Sequence, residues 1–476
     1  MDRRSFLFLA STAALRPRAF AQPPSSPPRV SATGPAGAAA LQKYAAAVAK
    51  LKALPSSDPR NWINQANIHN GFCPHRNWWF LPWHRAYLFF FEQICQQVLA
   101  DPTFRLPYWN WSSSNTIPRP FLDRASSLFD PSRAQTTIPA EIVDQRIVTR
   151  IVSSNSLADL FSGATTSDQQ RQSASQGLLE SGPHNGVHAT ILGDMGNFTS
   201  PLDPIFWLHH CNIDRIWASW SRNSAHLPPS ASLWNNHALA RFFDPASRQQ
   251  VTPPASAMPS GKWLLPYDAL ESPVTRPVLP HTIQNLSLSL HAPASRAPVP
   301  TPHVRRRSGQ SASVPAIALG SGANIPVAVP ADLEAPTSRS APRATPPGAA
   351  PLAATPANSA FLVIQDVPFP SRPSTALRLF LNNRQPSPDT SLSDPSYLGT
   401  FSFFGANHDA AMPGMANSTF SINITDALQA ALQAVAPGTP LQVGIVPIDL
   451  ANPRRASRDE LVRPARIQVV TLGTQP

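Results

Sequence analysis

The first half of the chain alternates long apolar stretches with short polar breaks. Residues 80–99 and 204–220 are apolar on most faces, which is typical of helices buried inside a bundle. Residues 38–53 combine alanine, leucine and lysine at helical spacing, and residues 61–70 are the next helical candidate. This pattern predicts a mainly helical domain at 22–225, built as a four-helix bundle.

The last part of the chain changes to short apolar runs separated by turn residues. Such runs occur at 361–364, 376–381 and 441–448, and a helix-like run at 424–435 interrupts them. Short runs of this kind favour strands. We therefore expect a β-rich, sandwich-like domain at 358–476, so that the whole chain is an α + β multidomain protein.

Two regions between these domains have their own composition. Residues 226–290 carry aromatic side chains between proline and serine breaks, which indicates a small irregular subdomain. Residues 291–357 are rich in proline, alanine and serine, a composition typical of a semi-extended linker. One apolar stretch inside that linker, 314–329, can also pair as strands.

The composition of the 476 residues excludes several classes of protein. Only 14% are charged, 42% are hydrophobic, and there are three cysteines, so neither a highly charged unfolded chain nor a disulfide framework fits. The formal net charge is +11, but no basic patch is interleaved with aromatics, and we expect no nucleic-acid partner. No apolar run beyond the N-terminus is long enough for a membrane span.

The N-terminus has the features of a targeting segment at 1–21. Arg3 and Arg4 precede a short apolar stretch, and Ala19 and Ala21 form a small-x-small cleavage pattern. The paired arginines resemble a bacterial twin-arginine signal, and an ordinary signal peptide is the alternative. We expect export to the periplasm or the exterior, without a membrane anchor afterwards.

Seven of the thirteen histidines fall into two clusters within the helical region. In the second cluster, His184 and His188 are four residues apart, so a helix would place both rings on one face. His210 opens another helical stretch. Asp214, one turn further on, has the spacing to accept an N–H from a ligand ring.

The first cluster contains His69, His75 and His84. A spacing of nine would put His75 and His84 on opposite faces of one helix. We therefore expect His75 to precede the helix that carries His84, with Pro74 and Pro82 as breakers, and His69 to lie on the preceding helix.

The clusters predict a metal site more readily than a structural role. Neutral imidazoles without carboxylates at ligand spacing suit copper and disfavour a di-iron carboxylate bundle. Ordinary core histidines are the alternative, but unpaired imidazoles in the two most apolar helices would cost desolvation energy.

Three strings carry a resemblance to a known family: WHR at 83–85, DPIFW at 203–207 and HHCNIDR at 209–215. They resemble the copper motifs of type-3 copper proteins, namely tyrosinases, catechol oxidases, polyphenol oxidases and, more distantly, haemocyanins. The resemblance implies two copper ions, with His209 as a neighbour and not a ligand. The implied ligands are His69, His75 and His84 for the first copper, and His184, His188 and His210 for the second.

The resemblance also implies an activity, the oxidation of o-diphenols to o-quinones with O2 as co-substrate. Glu180 and Asn185 stand where plant-type tyrosinases hold a water that deprotonates monophenols, which favours hydroxylation of monophenols as well. Phe198 resembles the aromatic gate over the second copper. The alternatives are a solvated carboxylate for Glu180, a simple polar contact for Asn185 and core packing for Phe198. For the whole protein, the alternative is an oxygen-binding protein without catalysis.

Cys73 stands four residues after His69, where plant polyphenol oxidases carry a cysteine that is bonded to a histidine ring. The resemblance implies a thioether between Cys73 and His75, with a free buried thiol as the alternative. Cys95 and Cys211 lie inside apolar stretches and are expected to be structural.

The resemblance extends to the C-terminal region. Residues 226–290 are similar to the small middle domain of plant polyphenol oxidases, and 358–476 to the domain that keeps those enzymes latent until the linker is cut. This domain would act as a lid over the site, which takes small phenols. His408, Met412 and Met415 could handle Cu(I) during loading, beside a possible copper chaperone, or form a plain surface loop.

Overall fold

The computed structural model describes residues 26–154, 157–163, 167, 175–224, 226–273, 304–328, 359–405, 417–435 and 439–474. The predicted signal at 1–21 and the loop with His408, Met412 and Met415 lie outside these residues. None of the described helices is both long and apolar enough to cross a membrane.

Ten helices are described. Their bounds are α1 Gly37–Ala53, α2 Trp62–Phe72, α3 Phe80–Leu99, α4 Ala140–Val143, α5 Gln145–Ser153, α6 Leu157–Leu160, α7 Asn185–Ile191, α8 Ile205–Trp220, α9 Ser232–Asn236 and α10 Thr425–Ala434. The π-helical turn Glu180–His184 leads directly into α7. The predictions at 38–53, 80–99, 204–220 and 424–435 are confirmed within two residues.

Three of the described strands precede residue 274, and the others belong to the C-terminal region. Their bounds are β1 Ser175–Gln176, β2 Phe242–Asp244, β3 Gln249–Val251, β4 Val304–Ser308, β5 Ala312–Ser313, β6 Ile317–Leu319, β7 Ala323–Val327, β8 Ser359–Pro368, β9 Thr375–Leu381, β10 Tyr397–Ser402, β11 Asn417–Asn423, β12 Leu441–Asp449, β13 Ser457–Val462 and β14 Arg466–Thr474.

Local sequence explains where the site helices begin and end. The Asn61 side chain accepts the backbone N–H of Ile63 and so caps α2. α3 ends at Ala100, which adopts the left-handed conformation (φ 54°) just before Pro102. The prediction that Pro82 acts as a breaker is wrong, because Pro82 lies inside α3. It occupies the first turn, where a missing backbone N–H costs nothing.

The helical domain is held together by a buried ion network around Asp214. Its carboxylate accepts from Arg85 Nε at 2.6 Å, from the Tyr267 hydroxyl at 2.6 Å and from Arg29 Nη1 at 3.4 Å. Arg29 also donates to Glu92 at 3.0 Å. These bonds join the segment before α1, the helices α3 and α8, and the chain at Tyr267, so the site helices are fixed from both sides.

The C-terminal domain contains two main sheets. One has the order β1-β11-β8-β14-β4, with β5 also paired to β14, and the other has the order β10-β9-β12-β7. Their buried residues are part of the apolar core. The helices of the first half and these sheets together confirm an α + β multidomain fold. β1 comes from the helical part of the chain and pairs in parallel with β11, so the two domains share a sheet edge.

The predicted linker is too long. Residues 304–328 contribute four strands, and β4 and β7 pair with β14 and β12 of the C-terminal domain. The alternating burial of Ile317, Leu319, Ile325 and Val327 explains this, because it gives each strand one apolar face. The option that 314–329 pairs as strands is thus confirmed.

Candidate metal centre

The first histidine cluster converges between α2 and α3. His69 lies on α2, His84 on α3, and His75 in the segment between them, as predicted. The Nδ1 atoms of His69 and His84 lie 2.7 Å from the Phe198 carbonyl and 2.8 Å from the Phe80 carbonyl. Because a carbonyl only accepts, each Nδ1 carries the proton and each Nε2 keeps a lone pair.

These lone pairs point at one another. His84 Nε2 lies 3.3 Å from His69 Nε2, and His75 Nε2 has no partner among the described residues. Two lone pairs at that distance repel unless a cation lies between them. The arrangement is that of three neutral nitrogen donors around a metal position.

The second cluster repeats the arrangement with α7 and α8. His184 ends the π-helical turn, His188 lies on α7 and His210 on α8. His188 Nδ1 lies 2.6 Å from the Met195 carbonyl, and His184 Nδ1 lies 2.8 Å from Asn185 Oδ1. His188 Nε2 and His210 Nε2 face each other at 3.5 Å.

The two clusters face each other across the bundle. The rings of His84 and His210 stack with centroids 4.3 Å apart, and those of His75 and His184 lie 5.5 Å apart. In the described part of the chain, each cluster offers ligand atoms within 4.8 Å of one another. The site therefore has the layout of a dinuclear centre.

Burial keeps these histidines neutral. Desolvation lowers the pKa of His84 and of His188 to about 3, and it lowers the pKa of His75, His184 and His210 well below the usual value. A metal ligand must be an unprotonated imidazole, so this environment suits metal binding across the physiological pH range.

His209 lies in the same group as His184, His188 and His210. Neither of its ring nitrogens has a partner in the described residues, and its ring centroid is 5.1 Å from that of His188. Its place beside the second cluster is thus clear, and its role as a neighbour and not a ligand stays a prediction.

The role predicted for Asp214 is wrong. Its carboxylate is engaged by Arg85, Arg29 and Tyr267. The N–H groups of His69, His84 and His188 are bonded to backbone carbonyls instead. The spacing on α8 was right, but a buried carboxylate is stabilised more by two guanidinium groups than by a neutral ring.

Cys73 lies beside the first cluster. Its Sγ is 3.3 Å from His75 Nδ1, which is compatible with the predicted thioether, and none of the described cysteines forms a disulfide. Burial raises the pKa of Cys211 to about 12 and that of Cys95 well above the usual value. Such inert thiols fit the structural role predicted for both.

Glu180 and Asn185 are both buried next to the second cluster. Glu180 accepts the backbone N–H of Arg76 at 2.6 Å and the Ser162 hydroxyl, so it is not a solvated carboxylate. Burial raises its pKa to about 7 against these hydrogen bonds. Asn185 donates to Gln176 Oε1 at 2.7 Å and to the Ser402 carbonyl at 3.1 Å.

Phe198 lies close to the first cluster. Its carbonyl is bonded to His69, and its ring centroid is 5.3 Å from that of His75 and 6.4 Å from that of His69. Its position as a gate over the second copper stays a prediction.

Phe404 was missed by the sequence analysis. This residue of the C-terminal domain lies 4.5 Å from the ring of His188, 4.8 Å from that of His75 and 5.2 Å from that of Phe198. It therefore covers both clusters. The string FSFF at 401–404 contains three aromatic candidates, and no periodicity distinguishes the one that leaves the sheet after β10.

Polar contacts hold the C-terminal domain against the helical domain around this ring. Arg150 donates to the carbonyls of Leu398 and Asn423, the latter at 3.0 Å. Arg76 donates to the Asn417 carbonyl at 2.8 Å. Together with the β1–β11 pairing, these bonds fix the position of Phe404.

Two facing sets of buried, neutral histidines define a class, that of the dinuclear histidine-ligated metal proteins. Residues 50–160 and 125–223 match the tyrosinase family, described as the common central domain of tyrosinase. This match and the two histidine clusters support a type-3 copper protein of the tyrosinase and polyphenol oxidase family, whose metal is a pair of copper ions.

Comparison with known proteins gives relatives from plants and bacteria. The chain is 34% identical over 226 residues to the latent form of polyphenol oxidase from Prunus armeniaca, which covers 38% of each chain. It is 31% identical over 258 residues to a tyrosinase from Hahella sp., which covers 43% of this chain and 55% of that one. The chain thus spans less than half the length of the matched plant relative.

Solved structures match over nearly the whole chain. The structure of latent apple tyrosinase superposes with a TM-score of 0.66 at 22% identity, covering 94% of this chain and 98% of the other. A latent aurone synthase superposes with a TM-score of 0.65 at 21% identity, covering 95% and 91%. These likenesses establish the fold.

Proposed function

We propose that this protein is a dicopper phenol oxidase that oxidises o-diphenols to o-quinones with O2. The observation that carries the proposal is the convergence of the unprotonated Nε2 atoms of two histidine clusters in one buried pocket. His69, His75 and His84 would hold one copper ion, and His184, His188 and His210 the other. A borderline, nitrogen-only donor set without carboxylates fits copper well. The bound pair would supply the electron transfer between phenol and O2.

The residues of the chain have separate tasks in this reaction. Backbone carbonyls orient His69, His84 and His188, which fixes the lone pairs toward the metal positions. Phe198 and the histidine rings form an apolar wall for a substrate ring. The six histidines are at most 3% exposed, and such burial would keep water away from a reactive quinone until its release.

Hydroxylation of monophenols is the finer part of the proposal. A monophenol must lose its proton, and Glu180 has a pKa near neutrality, raised to about 7 by burial. A carboxylate with this pKa is a suitable proton acceptor at physiological pH. Its neighbour Asn185 holds His184 through Nδ1, so both residues act at the second cluster.

Latency is the other finer part. The Phe404 ring occupies the space in front of His75 and His188 in which a phenol ring would dock. An intramolecular group acts at a high effective concentration, so the docked C-terminal domain would exclude substrate. Because β4–β7 belong to that domain, only cleavage within 274–303 would separate it from the helical domain. The segment 329–358 lies between two of its strands.

The test is O2 uptake with a simple catechol by the copper-loaded full chain, before and after cleavage within 274–303. We expect uptake to rise after cleavage. A chain with two bound copper ions and no uptake in either form would favour the alternative, an oxygen-binding protein without catalysis. Comparison of a monophenol with the catechol tests the hydroxylase part.

A further inference from the structure

Gln176 connects the C-terminal domain to a candidate copper ligand. Its side chain is 2% exposed. Its Oε1 accepts from Asn185 Nδ2 at 2.7 Å, and its Nε2 lies 3.5 Å from Ser418 Oγ. Its backbone belongs to β1, where it lies opposite Phe420 of β11. The contacts therefore run from strand β11 through Gln176 and Asn185 to His184.

The Ser402 carbonyl determines which atoms donate in the hydrogen bonds that lead to His184. The Ser402 carbonyl can only accept, so the Asn185 atom that faces it at 3.1 Å must be the amide nitrogen. Asn185 Oδ1 then faces His184, and His184 Nδ1 must carry the proton. The lone pair of His184 Nε2 is thereby directed to the metal position.

Gln176 supports the same orientation from within the helical domain. Its Oε1 accepts the second hydrogen of the Asn185 amide, so that both donors of this amide are bonded to acceptors. The Ser402 carbonyl belongs to the C-terminal domain and would leave with it. Gln176 Oε1 would then be the remaining described acceptor that holds the Asn185 amide.

We propose that Gln176 is a positioning residue for copper binding at the second cluster, acting through Asn185 on the tautomer and ring orientation of His184. This inference rests on the proposed function and names a residue that does not itself touch the metal positions. Without the Oε1 acceptor, the buried Asn185 amide would have an unpaired N–H, and it would rotate or shift to find a partner. In the full chain only the Ser402 carbonyl would then hold the Asn185 amide, so His184 would be oriented less firmly.

The substitution Gln176→Met isolates this effect, because methionine has a similar length but offers no comparable acceptor. Residues that orient metal ligands in this way typically contribute 10- to 100-fold to metal affinity. We expect one of the two copper ions, that of the second cluster, to bind about 10-fold less tightly. Gln176→Glu keeps an acceptor oxygen toward Asn185 and should therefore keep the wild-type copper affinity. Gln468→Leu, a buried glutamine on β14, is the matched control.

The experiment measures Cu(I) affinity and stoichiometry of the full chain by chelator competition, with far-UV circular dichroism as the check on folding. Weaker copper binding in Gln176→Met alone, with wild-type affinity in Gln176→Glu and Gln468→Leu, supports the inference. Equal affinity in all four proteins overturns it and leaves the proposed function intact. A wild-type chain that binds no copper overturns both. Should the methionine variant not fold, Gln176→Leu removes the same acceptor with a shorter side chain.

Discussion

The ring of Phe404 lies 4.5 Å from the ring of His188, although the two residues belong to different domains and are 216 positions apart in the sequence. His188 is a candidate ligand, and Phe404 follows strand β10 of the C-terminal domain. The contact places an apolar side chain of the protein's own C-terminal domain at the docking position that we propose for a phenolic substrate.

We therefore expect Phe404→Ala to activate the full chain without cleavage. Removing the ring opens the space in front of His75 and His188, and loss of a buried phenylalanine weakens domain docking by roughly 3–5 kcal/mol. Oxidation of a catechol at a fixed concentration should rise by about tenfold or more. Phe401→Ala is the control, because Phe401 is buried against Phe420 within the sheet. Equal activation by both variants would show that general loosening, and not the ring of Phe404, is responsible.

If the proposed latency holds, the guanidinium group of Arg150 is expected to be a second determinant of it. It donates to two carbonyls of the C-terminal domain, those of Leu398 and Asn423. A hydrogen bond from a charged donor contributes about 1.5–3 kcal/mol. We expect Arg150→Met to lower the urea concentration at which catechol oxidation first appears. Arg146→Met is the matched control on the same helix, since Arg146 is paired with Asp144 in an exposed ion pair. An unchanged urea threshold for Arg150→Met would contradict the prediction.

Much of the fold and most of the site follow from local sequence patterns. The helix α3 and the placement of His69, His75 and His84 were predictable, because long apolar runs and the break at Pro74 are local signals. The two histidine clusters could also be predicted from the sequence, and the structure confirms that each cluster comes together.

The remaining features depend on contacts between distant parts of the chain. Asp214 has a spacing suited to a histidine partner, but its partners are Arg29, Arg85 and Tyr267, which come from three other segments. Phe404 is one phenylalanine among several near β10, and only the docking of two domains selects it. The strands at 304–328 lie in a proline-rich region, where the local sequence gives little sign of strands. They are stabilised by pairing with distant strands, including β12 and β14.

Cys73 and His75 provide a test of the covalent structure. The Sγ–Nδ1 distance of 3.3 Å puts the sulfur beside the imidazole ring. We expect the copper-loaded, oxygen-exposed protein to contain a thioether, so that the peptide with both residues has the mass of its sequence less two hydrogens. Cys73→Ser should show no such deficit, and Cys95→Ser should leave it unchanged. A thiol at Cys73 that still reacts fully with an alkylating reagent after unfolding would contradict the prediction.

Glu180 gives a prediction about stability and pH in the metal-free protein. Its pKa in the folded chain is about 7, above the value of 4.5 for a free side chain, because burial disfavours the charged form. The folded state thus binds more protons than the unfolded state between these values, and its free energy of unfolding falls as the pH rises through this window. A difference of this size corresponds to roughly 3 kcal/mol.

We therefore expect Glu180→Gln, which does not titrate, to gain stability relative to the wild type from pH 4.5 to about 7, with a constant difference above that. The slope with pH is the informative quantity, since the loss of the Arg76 and Ser162 contacts shifts the curve by a constant amount. Urea unfolding of both proteins at several pH values measures it, with Glu141→Gln, a partly exposed glutamate on α4, as the control. If the difference between wild type and Glu180→Gln does not change with pH, Glu180 is not a buried carboxylate that titrates near neutrality, and its assignment as a proton acceptor for monophenols fails.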